Sequence, residues 1–95
     1  MEFEAEIWKY EGPGGWHFVT LPGELGLRIR AERAFDGPGW GIVKVRATIN
    51  GTVAETSLFP DKKSGSYLMP LKANVRRVAR LAVGDAIRVR LDIIA

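Results

Sequence analysis

The sequence lacks cysteine and has a single histidine, His17, among its 95 residues. Without cysteine there is no disulfide framework, no thiolate nucleophile and no zinc–sulfur site. A lone histidine excludes a pair of histidine metal ligands, and no cluster of acidic residues has the spacing of metal ligands. The sequence therefore predicts neither a metal nor another cofactor. The lack of cysteine also fits a reducing cytoplasm.

Long hydrophobic runs are absent as well. No apolar stretch approaches the roughly 20 residues that a membrane-spanning helix needs. The first ten residues, MEFEAEIWKY, alternate between acidic and apolar, whereas a signal peptide begins basic and continues apolar. We therefore expect a soluble, cytoplasmic chain with no membrane contact. A hydrophobic share of 46% supports one small core, so residues 1–95 are expected to form a single domain.

The sequence is rich in alternation of apolar and polar residues. In residues 87–93 (IRVRLDI) every second residue is apolar and the others are charged, which is typical of a strand with one buried face. Similar patterns recur along the chain. Strands are predicted at about residues 2–10, 16–21, 40–49, 52–59, 66–71 and 87–93.

Glycine and proline separate these strands. Residues 11–15 (EGPGG) and 36–39 (DGPG) are predicted loops, since proline fixes φ and glycine permits positive φ. Asn50-Gly51 predicts a hairpin, because a type I′ turn needs positive φ at both central residues. Pro70 lacks a backbone donor inside a predicted strand, so it should lie in an edge strand or at a strand end.

Residues 24–35 (ELGLRIRAERAF) fit two structures. Leu25, Leu27 and Ile29 alternate with other residues, which favours a strand slightly. The segment also contains helix formers, and Leu25, Ile29 and Glu32 lie near helical spacing. A short helix that enters or leaves a strand is therefore the alternative.

One short helix is expected before the last strand. Asn74 is a candidate N-cap, and Gly84 lies where a helix exit needs positive φ. Between them, apolar residues on one side of the helix oppose arginines on the other. The apolar residues are Val75, Val78, Ala79 and Ala82, and the arginines are Arg76, Arg77 and Arg80.

These elements predict a mainly β fold, a small closed or nearly closed antiparallel β-barrel. It has about six strands, with one short helix before the last strand. Closure would remove the exposed strand edges that invite aggregation.

Several segments together resemble a bacterial family, domain of unknown function 1905. They are residues 16–22 (WHFVTLP), 48–60 (TINGTVAETSLFP) and 66–91 (SYLMPLKANVRRVARLAVGDAIRVRL). The resemblance covers nearly the whole chain and implies a small closed β-barrel with one short helix. Some members of the family are similar to modules joined to a bacteriocin-protection-type domain. The resemblance implies no activity and no catalytic residues.

The sequence contains no recognisable catalytic apparatus. The hydroxyl groups of Ser57, Ser64, Ser66 and Tyr67 have no general base in a recognisable order, so we predict no catalytic residues. His17 shares a strand face with Val19 and Leu21, and a structural role is expected for it.

The loop at residues 62–66 is a candidate anion site. Lysine, serine and glycine with free backbone N–H groups can form an anion nest, although the spacing differs from that of a nucleotide P-loop. We expect this loop and the arginine-rich helix to form one patch for a phosphate or carboxylate; solvated loop and helix faces are the alternative. The candidate ligand-binding residues are Lys62, Lys63, Ser64, Ser66, Arg76, Arg77, Arg80 and Trp16.

Tryptophan and charge suggest a second possibility. Trp8, Trp16 and Trp40 either pack at the barrel or stack against a ligand. Residues 1–40 have a net charge of −3 and residues 41–95 a net charge of +6. The two halves either form separate faces or interleave into a mixed surface. A nucleic-acid-binding barrel would combine tryptophan with outward basic residues. Those residues are Lys44, Arg46, Arg88 and Arg90.

The sequence therefore predicts a small binding or accessory module of the bacterial cytoplasm. It would be a monomer or weak homo-oligomer that binds a small anionic ligand or a protein partner. Nucleic-acid binding is the second interpretation, and a hydrolytic enzyme is the third.

Overall fold

The computed structural model describes residues 1–33 and 41–94, which form seven strands and two helices. In chain order these are β1 (Glu2–Glu6), β2 (Trp8–Lys9), β3 (His17–Thr20), α1 (Gly23–Glu32), β4 (Val43–Ile49), β5 (Thr52–Asp61), β6 (Ser66–Pro70), α2 (Ala73–Ala79) and β7 (Ala86–Ile93). The predicted loop at 36–39 and Trp40 lie outside the described residues.

The strands form one antiparallel sheet in the order β1-β7-β4-β5-β6-β3-β2. Its two ends, β1 and β2, are consecutive pieces of chain separated only by Ile7. The Ile7 N–H donates to the carbonyl of Asp85 at 2.9 Å, and the Ile7 carbonyl accepts from the N–H of Gly84 at 2.8 Å. The first segment thus bends at Ile7 and nearly closes the sheet into a barrel. The expected barrel is confirmed. Because the bend divides the first predicted strand into β1 and β2, the described residues form seven strands instead of about six.

The barrel interior is filled by the apolar half of each alternating strand. Along β4 and β7, every second residue is buried, and Val45 and Val89 have no exposed surface. The largest completely enclosed side chains include Leu58 and Met69 from β5 and β6. Burial of this apolar surface is the main favourable contribution to folding.

Opposite charges face each other on the outside of β1, β7, β4 and β5. Across the strands Glu2 lies opposite Arg90, Glu4 opposite Arg88, and Arg46 opposite both Asp92 and Glu55. Arg88 Nη2 lies 3.3 Å from Glu4 Oε1, and Arg46 Nη2 lies 3.5 Å from Glu55 Oε2. The two halves of the sequence therefore interleave on this face, and its charge is mixed rather than basic.

Residues Gly23–Glu32 form the helix α1, so the expectation of a strand here is wrong. Gly26 and Ile29 are buried, whereas Leu27 is 61% exposed, although alternation placed Leu27 on the same face as Ile29. The buried spacing is that of a helix that lies against the barrel. Arg28 Nε also lies 3.3 Å from Glu32 Oε1, one helical turn away. The described residues therefore form two helices instead of the expected one.

The second helix, α2, begins and ends at different residues from those predicted. Its N-cap residue is Lys72, so Asn74 lies inside the helix and is not the cap. Arg80 has a left-handed conformation (φ 58°) and ends the helix, whereas Gly84 (φ 91°) lies in the following turn. Val78 is 63% exposed, contrary to the expected apolar stripe.

The hairpin prediction is confirmed. Asn50 (φ 50°) and Gly51 (φ 76°) occupy the turn between β4 and β5. Asn50 Nδ2 also donates to the carbonyl of Ala79 at 3.0 Å, which ties this turn to the end of α2. Pro70 is the last residue of β6, the strand-end position expected for a residue without a backbone donor.

Candidate ligand-binding groove

Aromatic side chains gather on the outside of the barrel, over β2, β3, β6 and the end of β5. Trp8 and Phe18 lie opposite each other across β2 and β3, and Phe59 lies opposite Leu68 across β5 and β6. Because neighbouring residues on a strand face opposite sides, these side chains point outward while Val19 and Met69 point into the core. We call this set, with Tyr10 and Trp16, the aromatic groove.

The rings of the aromatic groove touch one another. The Phe18 ring centroid lies 5.1 Å from that of Trp8 at a tilt of 39°, and 5.9 Å from that of Trp16 with nearly parallel planes (5°). Trp8 Nε1 donates to Thr20 Oγ1 at 3.0 Å, which fixes the Trp8 ring. Trp16 remains 51% exposed. Large exposed patches of this kind often mark binding surfaces.

The loop between β2 and β3 allows two of these rings to fold over it. A Cβ at Gly12 would clash with the Tyr10 ring, and a Cβ at Gly14 would lie 2.9 Å from Trp16 Cδ1. Gly14 (φ 98°) and Gly15 (φ 63°) also adopt backbone conformations that favour glycine. The glycines of this loop therefore shape one wall of the groove.

The groove encloses about 500 Å³ and is lined by Trp8, Tyr10, Trp16, Phe18, Phe59, Asp61, Lys63 and Leu68. Asp61 and Lys63 are the charged residues of this lining. Asp61 Oδ2 already accepts a hydrogen bond from the Ser64 N–H at 3.1 Å. Among the described residues, Lys63 has no hydrogen bond and no ion pair. An ammonium group is thus available at the edge of an aromatic surface.

An anion nest needs free backbone N–H groups, but in the loop at 62–65 and at Ser66 three of these groups bond within the loop. The Ser64 N–H donates to the Asp61 carboxylate, the Gly65 N–H to the Asp61 carbonyl, and the Ser66 N–H to Ser64 Oγ. These three backbone donors are therefore satisfied inside the loop. Lys62 lines an adjoining concavity with Pro60, Asp61 and Gly65, and Asp61 also lines the groove.

Ser66 is buried beneath α1. Only 1% of its surface is exposed, and its hydroxyl donates to the carbonyl of Pro22 at 3.4 Å. A Cβ on Gly26 would overlap the Ser66 hydroxyl oxygen, so helix and strand approach closely here. The position of Ser66 therefore indicates helix packing.

The arginines of α2 lie away from that loop. The loop precedes β6 and α2 follows it, and a strand of five residues places them roughly 16 Å apart. Arg76 Nη1 lies 3.3 Å from His17 Nε2, while Arg77 and Arg80 are exposed. A single patch of loop and helix stays a prediction that this geometry does not favour. Of the eight predicted binding residues, Trp16 and Lys63 line the same groove.

The described residues offer few groups for other chemistry. They contain no group of three or more His, Cys, Asp or Glu side chains placed to hold a metal ion. Burial raises the pKa of the Tyr67 hydroxyl, against the opposing effect of Arg33 and Arg30. None of the helices in this part of the chain has the length and apolar character needed to cross a membrane.

The sequence named Trp16 and Lys63 among its candidate binding residues, but it did not predict the groove that both of them line. One signal was present: Trp8 lies on the face of its strand that otherwise has glutamates, where a large apolar residue is unusual. The remaining aromatic residues come from separate segments of the chain. Their convergence depends on the strand order, which sequence alone did not provide.

The fold and the groove define a small, nearly closed β-barrel domain with an aromatic outer surface. The chain belongs to the family described as Domain of unknown function (DUF1905), whose match covers residues 3–91. This match confirms the family resemblance drawn from the sequence. No curated protein matches the chain. The family description specifies no ligand or activity, so functional inference rests on the groove.

Proposed function

We propose that this protein is a non-catalytic binding module of the bacterial cytoplasm that holds a small planar organic anion in the aromatic groove. One observation carries the proposal: the half-exposed Trp16 ring lines the same groove as the Lys63 ammonium, which has no partner among the described residues. A flat ring stacks on an indole face, and an ammonium attracts a carboxylate or phosphate. A ligand that combines a ring with an anionic group matches both features, provided that the anionic group lies toward Lys63 and away from the Asp61 carboxylate of the same groove.

The dimensions and polarity of the groove support this ligand class. Its volume of about 500 Å³ lies in the range of small-molecule sites, which combine an apolar lining with a few polar groups. Nucleoside monophosphates and aromatic carboxylates both have this chemistry. Because the groove is open, we expect affinity to be modest, with stacking as the larger contribution.

The nucleic-acid interpretation gains no support from the outward strand arginines. Arg46 and Arg88 face acidic residues across the sheet, so the phosphate backbone would meet a mixed charge there. A single strand stacked on the groove would have to rely on Lys63 and its neighbours instead.

The test is an NMR titration of the ¹⁵N-labelled protein with adenosine 5′-monophosphate and, separately, indole-3-carboxylate. Adenosine, which has the ring without the anionic group, and inorganic phosphate, which is the anionic group without the ring, serve as half-ligands. We expect the indole N–H of Trp16 to shift with the complete anions, and the half-ligands to bind more weakly. Stacking is worth about 1–3 kcal/mol, so Trp16→Ala should weaken binding by roughly 5- to 150-fold.

Charge is tested by Lys63→Gln, with Lys62→Gln as the matched control because Lys62 lies in the same loop but lines a different concavity. An exposed charge contributes about 0.2–1 kcal/mol, so Lys63→Gln should weaken binding by about two- to fivefold and Lys62→Gln should not. Affinity that is unchanged in Trp16→Ala would refute the proposal. So would self-association through the groove, detected by sedimentation and abolished by Trp16→Ala.

A further inference from the structure

We infer that Arg76 is a positioning residue for the aromatic groove: acting through His17, it fixes the backbone that carries Trp16 and so couples α2 to the groove. The effect on ligand affinity rests on the proposed function. The effect on Trp16 itself does not, because it is a property of the ligand-free protein.

Three consecutive carbonyl groups hold the backbone around Trp16. The Gly15 carbonyl accepts from His17 Nδ1 at 2.8 Å, the Trp16 carbonyl from the Tyr10 N–H at 2.8 Å, and the His17 carbonyl from the Leu71 N–H at 2.9 Å. Two of these bonds come from the main chain of neighbouring strands and loops. The bond to Gly15 comes from a side chain, so it depends on the orientation of the imidazole.

The second nitrogen of that imidazole faces Arg76. Because a carbonyl can only accept, Nδ1 is the donor to Gly15, and Nε2 with its lone pair accepts from Arg76 Nη1 at 3.3 Å. Arg76 Nε also donates to the Leu71 carbonyl at 3.1 Å. The guanidinium thereby bridges the strand entering α2 and the imidazole of His17, and it determines which way that ring turns.

Trp16 needs such support because the loop that precedes it has wide conformational freedom. It follows Gly14 and Gly15, whose positive φ angles mark a segment with wide conformational freedom. Its ring is half exposed, and its described aromatic contact is with Phe18. Without the Arg76–His17 contact, the imidazole could release the Gly15 carbonyl and the loop could pivot. The groove would then lose the fixed face on which a ligand ring stacks.

The neighbouring arginine provides a matched control. Arg77 follows Arg76 on α2, but it is exposed, and its side chain has no hydrogen bond or ion pair among the described residues. Removal of either side chain takes one positive charge from the same short helix. A difference between Arg76→Ala and Arg77→Ala therefore reports the contact with His17 rather than net charge.

The experiment begins with ligand-free protein labelled with ¹⁵N, in which the Trp16 indole resonance is assigned from Trp16→Phe. Arg76→Ala should shift this resonance and increase its fast motion, whereas Arg77→Ala should leave both unchanged. Arg76→Lys retains a donor toward His17, so its Trp16 resonance should lie closer to that of the wild type. If Arg76→Ala does not fold, Arg76→Lys replaces it in the comparison with Arg77→Ala. His17→Phe should have the same effect as Arg76→Ala, and the double variant should add little to it.

The same variants are then titrated with adenosine 5′-monophosphate. We expect Arg76→Ala to weaken binding by roughly 2- to 30-fold and Arg77→Ala to leave it unchanged. If Arg76→Ala lowers the melting temperature but leaves the Trp16 indole signal as in the wild type, the inference is overturned and Arg76 is only structural. If Trp16 moves as expected but no probe binds even the wild type, the positioning stands and the proposed function fails.

Discussion

Gly26 shows how one missing side chain allows α1 to lie against the barrel. A Cβ at this position would overlap the Ser66 hydroxyl oxygen, and it would lie 3.0 Å from the Ser66 Cβ and 3.1 Å from its Cα. Part of this obstacle is backbone, which cannot rotate away as a flexible side chain does. The helix therefore requires glycine at this contact.

We expect Gly26→Ala to destabilise the protein by about 1–3 kcal/mol, the usual cost of overpacking. Gly23→Ala is the matched control, because Gly23 belongs to the same helix and, apart from its chain neighbours and the helix's own backbone, nothing lies within 4 Å of its Cβ position. That control should be neutral or slightly stabilising, since alanine favours helix. Ser66→Gly should partly rescue Gly26→Ala in a denaturant melt. Equal stability of the two alanine variants would contradict this account of α1.

At the scale of elements, the end of α2 depends on a residue poorly suited to its backbone. The Arg80 N–H points to the carbonyl of Arg77, and the Leu81 N–H donates to the carbonyl of Arg76 at 2.8 Å, which are the bonds of a Schellman motif. In this motif the left-handed residue is usually glycine. Here it is Arg80, so α2 ends with a strained side-chain residue.

Arg80→Gly should therefore stabilise the protein by up to about 1 kcal/mol, observed as a higher melting temperature. Arg77→Gly, inside α2, should instead lower the stability by about 1 kcal/mol. Arg80→Lys keeps the strain and should have little effect. A decrease in stability for Arg80→Gly would mean that contacts of the Arg80 side chain stabilise the protein by more than its left-handed backbone conformation destabilises it. Arg80→Gly also tests whether Arg80 binds the ligand. The groove proposal predicts that it does not, so ligand affinity should be unchanged in this variant.

The elements that the sequence predicted are those with one dominant period. In β4 and β7 alternation is clear, and the strands form there; Asn50-Gly51 specified its hairpin. In α1, Leu25 and Ile29 fit both periods, and packing of Gly26 on Ser66 decided for the helix. That contact joins residues 40 positions apart in the chain. Local patterns contain no information about it.

At the scale of the whole molecule, the groove lies where the barrel is held by the fewest strand pairs. β2 has two residues, and both pair only with β3, whereas β4 pairs along its length with β5 and in part with β7. Binding surfaces are often found in the less stable parts of a fold, because ordering on ligand contact requires freedom beforehand. We therefore expect the β2–β3 wall of the groove to open more readily than the rest of the barrel.

Native-state hydrogen exchange tests this division. The amide of Tyr10, bonded to the Trp16 carbonyl, should exchange by local opening of the β2–β3 hairpin, at least roughly 100-fold faster than the amides of buried Val45 and Val89. Those central amides should exchange only when the whole barrel unfolds. Arg76→Ala should accelerate Tyr10 exchange further and leave the ratio of Val45 to Val89 unchanged, since it loosens the hairpin through His17. Equal protection of Tyr10 and Val89 in the wild type would show instead that the groove and the barrel open as one unit, and that the groove is rigid before any ligand arrives.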